Sequence, residues 1–225
     1  MTRTHLLTGA GSGIAAVLAR RLLERGDDVL AVARSAERAE EIGRELSGAT
    51  VLVADLAWPE SVESLALPDS LDSVVHAAGV VDLGPVAELS VDDWASQLRV
   101  NLVASAALTR VALPALRAAR GTVVFVNSGA GQVAHPTWAA YTASKHGLRA
   151  LADSLRAEEA EHGVRVTSVY PGRTATSMQE KVHAQEGKDY DPDAWIRPET
   201  VAEAILGVLD LSDDATVPDL SVKPR

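Results

Sequence analysis

Tyr141 and Lys145 stand four residues apart in the run Ala139-Ala-Tyr-Thr-Ala-Ser-Lys145, and Ser128 closes an apolar, β-rich run thirteen residues before the tyrosine. Residues four apart share one face of a helix. A phenol and an ammonium placed together can work as a unit. The cation favours phenolate and lowers the tyrosine pKa from about 10, so the hydroxyl can move a proton at neutral pH. The alternative is a solvated helix face without chemistry, and the pair alone does not separate the two readings.

The elements that would position such a pair are legible along the chain. Residues 3–8 form a short strand that runs into Gly9-Ala-Gly-Ser-Gly13, followed by an apolar-periodic helix over 14–25. Glycines between a strand and a helix permit a tight turn and close approach of backbone N–H groups to a ligand. The helix N-terminus adds partial positive charge suited to a pyrophosphate. Further strands are expected at 28–33, 50–54, 73–76, 122–127, 165–170 and 216–222, mostly as continuous apolar runs typical of a parallel sheet covered on both faces. Helices are expected at 37–46, 60–65, 91–119, 141–161 and 199–209. Ser35 and Ser90 look like capping residues, and Pro114 predicts a kink or break near the end of the 91–119 stretch. Alternation of strands with helices gives a single doubly wound α/β domain over 1–225, with ligands at the strand carboxyl ends.

Composition narrows the function classes. A net charge of −10 argues against nonspecific nucleic-acid binding, and the absence of cysteine excludes a disulfide framework, a thiolate nucleophile or a cysteine metal site. The histidines lack metal-ligand spacing, so no metal is expected. No uninterrupted apolar stretch reaches the roughly 20 residues of a membrane span, and no signal peptide is recognised. The chain reads as a cytoplasmic protein of ordinary hydrophobic content, 47%.

Taken together, the motifs resemble those of the short-chain dehydrogenase/reductase superfamily over essentially the whole chain. Thr8-Gly9-Ala-Gly-Ser-Gly13-Ile14-Ala15 matches its glycine-rich turn with Ala15 in place of the last glycine, and His76-Ala77-Ala78-Gly79 matches its Asn-Asn-Ala-Gly. Asn101, Ser128, the Tyr141/Lys145 pair and Pro171-Gly172 match its remaining signatures. The resemblance implies a Rossmann-like seven-stranded parallel sheet of order 3-2-1-4-5-6-7 with helices on both faces. It also implies a catalytic set of Asn101, Ser128, Tyr141 and Lys145. Tyr141 would exchange the proton, and Lys145 would bind the nicotinamide ribose and tune the phenol. Ser128 would steady the substrate oxygen, and the Asn101 amide would hold a water that relays protons to Lys145. An alternative for Asn101 is a helix-kink residue bonding backbone carbonyls.

Cofactor contacts are implied at Gly9, Ser12, Gly13, Ile14, Arg34, Ser35, Asp55, Leu56, Ala77, Ala78, Gly79, Asn101, Tyr141, Lys145, Pro171, Gly172, Thr174 and Thr176. Ala33 stands where an acid would receive the ribose 2′-OH of NAD, and Arg34 follows it, which favours the 2′-phosphate of NADP while leaving NAD possible. The alternative for Arg34 is a solvated loop charge. Asp55 is expected to accept from the adenine amino group, or else to be a strand-end turn residue. Ala15 is expected to shift the first helix slightly. Ala77 removes an amide that ties neighbouring strands, leaving that wall less rigid. His76 is expected to be a buried strand residue. The segment 175–197 resembles a mobile substrate lid anchored by Met178, Tyr190 and Trp195 over a fairly open pocket near Gly129, Gln132, Trp138 and Met178. The implied activity is NADPH-dependent reduction of a small carbonyl compound. The alternatives are NAD-dependent oxidation of a secondary alcohol and a dinucleotide sensor without turnover. A homodimer or homotetramer is expected to pair through the 91–119 and 141–161 helices.

Overall fold

Short runs of Val, Leu and Ala form the strands β1 (Thr4–Thr8), β2 (Asp28–Ala33), β3 (Thr50–Val53), β4 (Ser73–His76), β5 (Thr122–Val126), β6 (Arg165–Pro171) and β7 (Asp219–Val222). The structure is a computed structural model describing residues 2–225. All seven strands pair in parallel in the order β3-β2-β1-β4-β5-β6-β7, the order the resemblance implied. Every residue of β4 and β5 is buried, which explains the adjacent apolar residues Val74-Val75 and Val123–Val126 at their centres.

Among the described residues, seven α-helices connect the strands: α1 (Gly13–Glu24), α2 (Ala36–Glu45), α3 (Val91–Leu98), α4 (Ala104–Ala119), α5 (Ala139–Glu159), α6 (Ser177–Gln185) and α7 (Pro198–Leu209). Adjacent strand residues face opposite sides, so Leu7, Val75 and Val124 pack with Leu18, Leu22 and Ile205 of α1 and α7. Their neighbours Leu6, Val74 and Val123 pack with Leu108, Leu116 and Leu148 of α4 and α5. The sheet therefore has a core on each face. Register pairs Thr8 with His76 and His76 with Phe125, so the carboxyl ends of β1, β4 and β5 are level and their following turns meet.

Local signals behave as their chemistry requires. The Ser35 hydroxyl accepts from the Arg38 N–H at 3.3 Å, and Ser90 forms a reciprocal capping box with Asp93. Three expectations need correction. Residues 59–64 form a 3-10 turn rather than an α-helix. The last strand begins at Asp219 because Pro218 has no N–H to give the ladder. α4 runs unbroken past Pro114, held by buried Ala112, Ala115 and Leu116 around it. The interruption lies earlier, as a π-helical turn at Arg99–Val103 that contains Asn101. The column Val91–Ala119 is long and apolar enough to cross a membrane by length and composition, with mean hydropathy 1.3 in its best window, although Arg99, Asn101 and Arg110 interrupt its apolar run. In the fold, its Leu108, Ala112 and Leu116 are buried against the sheet.

One ion pair fixes α5 to α4. Arg117 donates to both oxygens of Glu159, at 2.8 and 2.7 Å, and the Glu159 side chain is only 2% exposed. The Arg117 hydrogen bonds hold the Glu159 pKa below its ordinary value. Arg117→Ala is expected to destabilise the protein by roughly 1–2 kcal/mol, since Arg117 is itself half-exposed and screened. Adding Glu159→Gln should recover part of the loss, as read by denaturant unfolding.

Candidate active site

A cleft of about 1130 Å³ opens at the carboxyl edge of the sheet. Its inner end is the turn between β1 and α1. Gly9 and Gly13 there have φ of 75° and 55°, a left-handed conformation that costs glycine little. A Cβ on Gly9 would lie 2.9 Å from the Ala78 nitrogen, so this turn rests directly on the one after β4. Ser12 caps α1 without a side-chain hydrogen bond, and the first turn contains no acid. Its N–H groups therefore remain available to an anion. This cradle fits a dinucleotide pyrophosphate.

The turn after β4 is tied down by a different group from the expected amide. The Thr8 hydroxyl accepts from the N–H groups of Ala77 and Ala78, each at 3.1 Å, and so restores the link that Ala77 cannot make. Ala15 is buried, so its methyl is accommodated in the core. His76 lies inside the strand as expected, bonded to Thr109 at 2.8 Å and stacked on Phe125 at 4.9 Å. Burial drives its pKa down to about 3.

Ser128, Tyr141 and Lys145 meet at the cleft floor. Tyr141 and Lys145 project from the same face of α5 as their spacing predicts, and both are buried. The Ser128 hydroxyl accepts from the Ala130 N–H at 3.2 Å and lines the cleft with the phenol. The Lys145 ammonium donates to the Val126 carbonyl at 3.0 Å and lies 5.8 Å from the Tyr141 ring centroid.

The electrostatics differ from the sequence expectation. Burial raises the Tyr141 pKa to about 12, outweighing the opposing influence of the Ser128 hydroxyl. Burial also lowers Lys145 to about 8. The ammonium is bonded to the Val126 carbonyl, and desolvation sets the direction of the shift in both groups. Tyr141 is therefore held as the neutral acid at physiological pH.

Asn101 makes the backbone bonds of its alternative reading. Its amide donates to the Val80 carbonyl and Ser144 hydroxyl, both at 2.9 Å, while its oxygen accepts from the Val80 N–H at 2.8 Å. Both amide hydrogens are thus committed to protein groups, and the expected water relay has no side-chain donor left. Asn101 ties the loop after β4 to Ser144, which donates to the Tyr141 carbonyl at 2.7 Å.

The cleft brings together Gly9, Ser12, Gly13, Ile14, Ala77, Ala78, Gly79, Ser128, Tyr141, Lys145, Pro171, Gly172, Thr174 and Thr176. Arg34, Ser35, Asp55 and Leu56 lie outside it, just past the ends of the paired strands β2 and β3. Asp55 makes a turn bond to the Ala57 N–H at 3.0 Å. Gly129, Trp138 and Met178 line the cleft, while Gln132 is exposed outside it.

The match to known proteins is similarly broad. A family model for short chain dehydrogenase covers residues 3–187. The chain belongs to the short-chain dehydrogenase/reductase family. Dehydrogenase/reductase SDR family protein 7-like from Drosophila melanogaster is 32% identical over 97% of this chain and 73% of its own length. Among solved structures, an alcohol dehydrogenase from the archaeon Thermococcus sibiricus complexed with 5-hydroxy-NADP has a TM-score of 0.87 at 26% identity, covering 99% of this chain and 96% of that one. A metagenomic short-chain oxidoreductase in complex with NADP has a TM-score of 0.82 at 30% identity, with coverages of 99% and 97%.

This short-chain dehydrogenase/reductase has three site features that the sequence reading missed. Asn127 accepts from the Ser128 N–H at 2.9 Å and donates to the Lys145 carbonyl at 3.1 Å. A polar residue ending an apolar strand beside Ser128 was the available signal. Arg38 reaches back from the first turn of α2, as helical side chains do, and donates to the Gly11 carbonyl at 2.7 Å. The expected lid contains α6, with Met178 and Val182 four residues apart on its cleft side. Lys181 pairs with Asp82 at 2.6 Å, Arg173 with Glu186 at 2.7 Å, and His183 packs between Tyr190 and Trp195 at 5.3 Å from each.

Lys145 offers a direct titration. Its folded pKa of about 8 lies below the ordinary 10.5, so between these values the unfolded chain binds more protons and stability rises with pH. The difference in unfolding free energy between wild type and Lys145→Met should increase in favour of wild type across that window. Parallel curves would contradict the shifted lysine.

Proposed function

We propose that this protein is an NADPH-dependent reductase of a small carbonyl compound. The observation that carries the reading is the buried Ser128–Tyr141–Lys145 group at the floor of a cleft whose other end is a glycine cradle. A reduced nicotinamide held between the glycine cradle and Lys145 would supply a hydride, two electrons, for the carbonyl carbon. The Tyr141 Oη–H bond breaks and its proton goes to the carbonyl oxygen. The C=O π bond becomes an O–H bond, while a C–H bond forms at carbon. Ser128 donates to the oxygen as charge develops there, and a nearby Lys145 ammonium stabilises the resulting phenolate. The phenol, protonated at rest, suits reduction. Oxidation of a secondary alcohol is the reverse and requires the phenolate first.

NADP preference rests on two arginines. Arg34 is exposed beyond β2 and makes no ion pair among the described residues. Arg38 lies on the glycine turn, with Glu41 as its salt-bridge partner at 2.6 Å. Together they offer guanidinium donors to a 2′-phosphate, with Asp55 toward the adenine. The relatives solved with NADP or 5-hydroxy-NADP support this choice. The proposal includes a cytoplasmic homodimer or homotetramer paired through α4 and α5, beside which Val103 is 49% exposed. Sedimentation at micromolar concentration tests the assembly.

Tyr141→Phe should lower carbonyl reduction by about 10²–10⁴-fold while NADPH affinity, read by fluorescence, stays nearly unchanged. Retained turnover would remove Tyr141 as proton donor. Arg34→Asp should weaken NADPH binding by about 10–100-fold and shift preference toward NADH. Unchanged relative affinities would contradict the strand-end reading.

A further inference from the structure

The wall around the proton donor carries chemical information about the substrate. Tyr141 belongs to a small apolar cluster with Val81, Ala130 and Val182, against which Leu83, Trp138 and Met178 pack. All six neighbours line the cleft. They come from three separate elements: the loop after β4, the segment between β5 and α5, and α6. The Trp138 ring meets Tyr141 edge-on at 5.8 Å.

Apart from Ser12, exposed Ser177 and the Ser128–Tyr141–Lys145 group, the polar side chains along the same cleft are bonded to protein groups or face water. Gln179 bonds His183 at 2.9 Å, and Gln185 bonds the Leu83 N–H and Asp82 at 3.3 and 3.2 Å. Both Arg173 terminal nitrogens hold Glu186, at 3.0 and 2.7 Å, and Lys188 bonds the same carboxylate at 3.0 Å. Glu88 and His135 are exposed, where water serves them. A substrate carboxylate therefore meets no free guanidinium at the reacting end, and a polyol meets no array of donors and acceptors. Either would lose hydration without replacement.

The wall is also pre-set. Thr137, which precedes Trp138, has φ of 67°, an unusual conformation for a β-branched residue. Its carbonyl accepts from the Gly84 N–H at 2.8 Å, and its hydroxyl donates to the Pro136 carbonyl at 2.6 Å. These bonds fix the backbone that aims Trp138 and join two of the three wall elements. Such strain persists where the surroundings over-determine it.

We propose that the substrate is a neutral ketone or aldehyde bearing an apolar aryl or branched alkyl group, with Trp138 as the specificity-determining residue. This rests on the carbonyl-reductase reading above. Polyhydroxylated carbonyl compounds and keto acids are poor substrates.

The test uses NADPH-loaded Tyr141→Phe protein, titrated calorimetrically with acetophenone, glyceraldehyde and pyruvate. Acetophenone should bind at least about tenfold more tightly than either polar compound. Equal or reversed affinities overturn the substrate class. Wild-type turnover is followed separately as NADPH oxidation with the same three compounds. Absence of oxidation with all three overturns the reductase reading, whatever the calorimetry gives, and oxidation of only the polar compounds overturns the substrate class alone. Trp138→Ala should weaken acetophenone binding by about tenfold with NADPH affinity unchanged, and Trp138→Phe should restore most of it. An equal loss of NADPH affinity would make Trp138 a structural residue and overturn its assigned role.

Discussion

The buried amide of Asn127 joins the end of β5 to the middle of α5. Its oxygen accepts from the Ser128 N–H and its nitrogen donates to the Lys145 carbonyl. These bonds set the distance between a hydroxyl on one element and the phenol and ammonium on another. Both elements are rigid for independent reasons: β5 is buried along its length, and α5 is packed on the sheet and clamped by Arg117–Glu159. Groups brought together from a strand end and a helix face keep a fixed spacing only with such a cross-link, and a proton donor needs positioning to fractions of an ångström.

Burial then determines the charge states. A desolvated phenol and a desolvated ammonium each shift toward neutrality, and the shifts put Lys145 near physiological pH while keeping Tyr141 protonated. The i,i+4 spacing places the two groups on one face, but spacing alone says nothing about dielectric. The sign of the tyrosine shift followed from packing that only the fold reveals.

Much of the architecture was readable because it depends on short-range chemistry. The buried strands announce themselves as short runs rich in Val, Leu and Ala, the capping serines at 35 and 90 occupy their expected places, and the glycine turn lies between β1 and α1. The site residues Ser128, Tyr141 and Lys145 converge as their motifs implied. Features set by long-range partners were not legible. Arg38 falls inside the expected 37–46 helix, and nothing local to it signals that its guanidinium reaches a turn twenty-seven residues earlier. Asn101 was assigned a water, but Val80 and Ser144 take its amide hydrogens. α6 has little sequence contrast of its own, and contacts with Asp82 and the aromatic residues after it give it a place.

The π-helical turn at Arg99–Val103 acts as a phase shifter. Before it, Gln97 grips the backbone of Asp82 at 3.0 and 3.2 Å, and within it Asn101 grips Val80. After it, Leu108 and Ala112 face the sheet. Each residue advances an α-helix by about 100°, so the widened turn lets one continuous column address two surfaces that a regular helix would leave out of step. Deleting a single residue there would rotate the sheet-facing half against the loop-gripping half. The hydrophobic anchor and the loop that walls the cleft could no longer both be satisfied, which links the shape of the pocket to a miscount in the winding of its supporting helix.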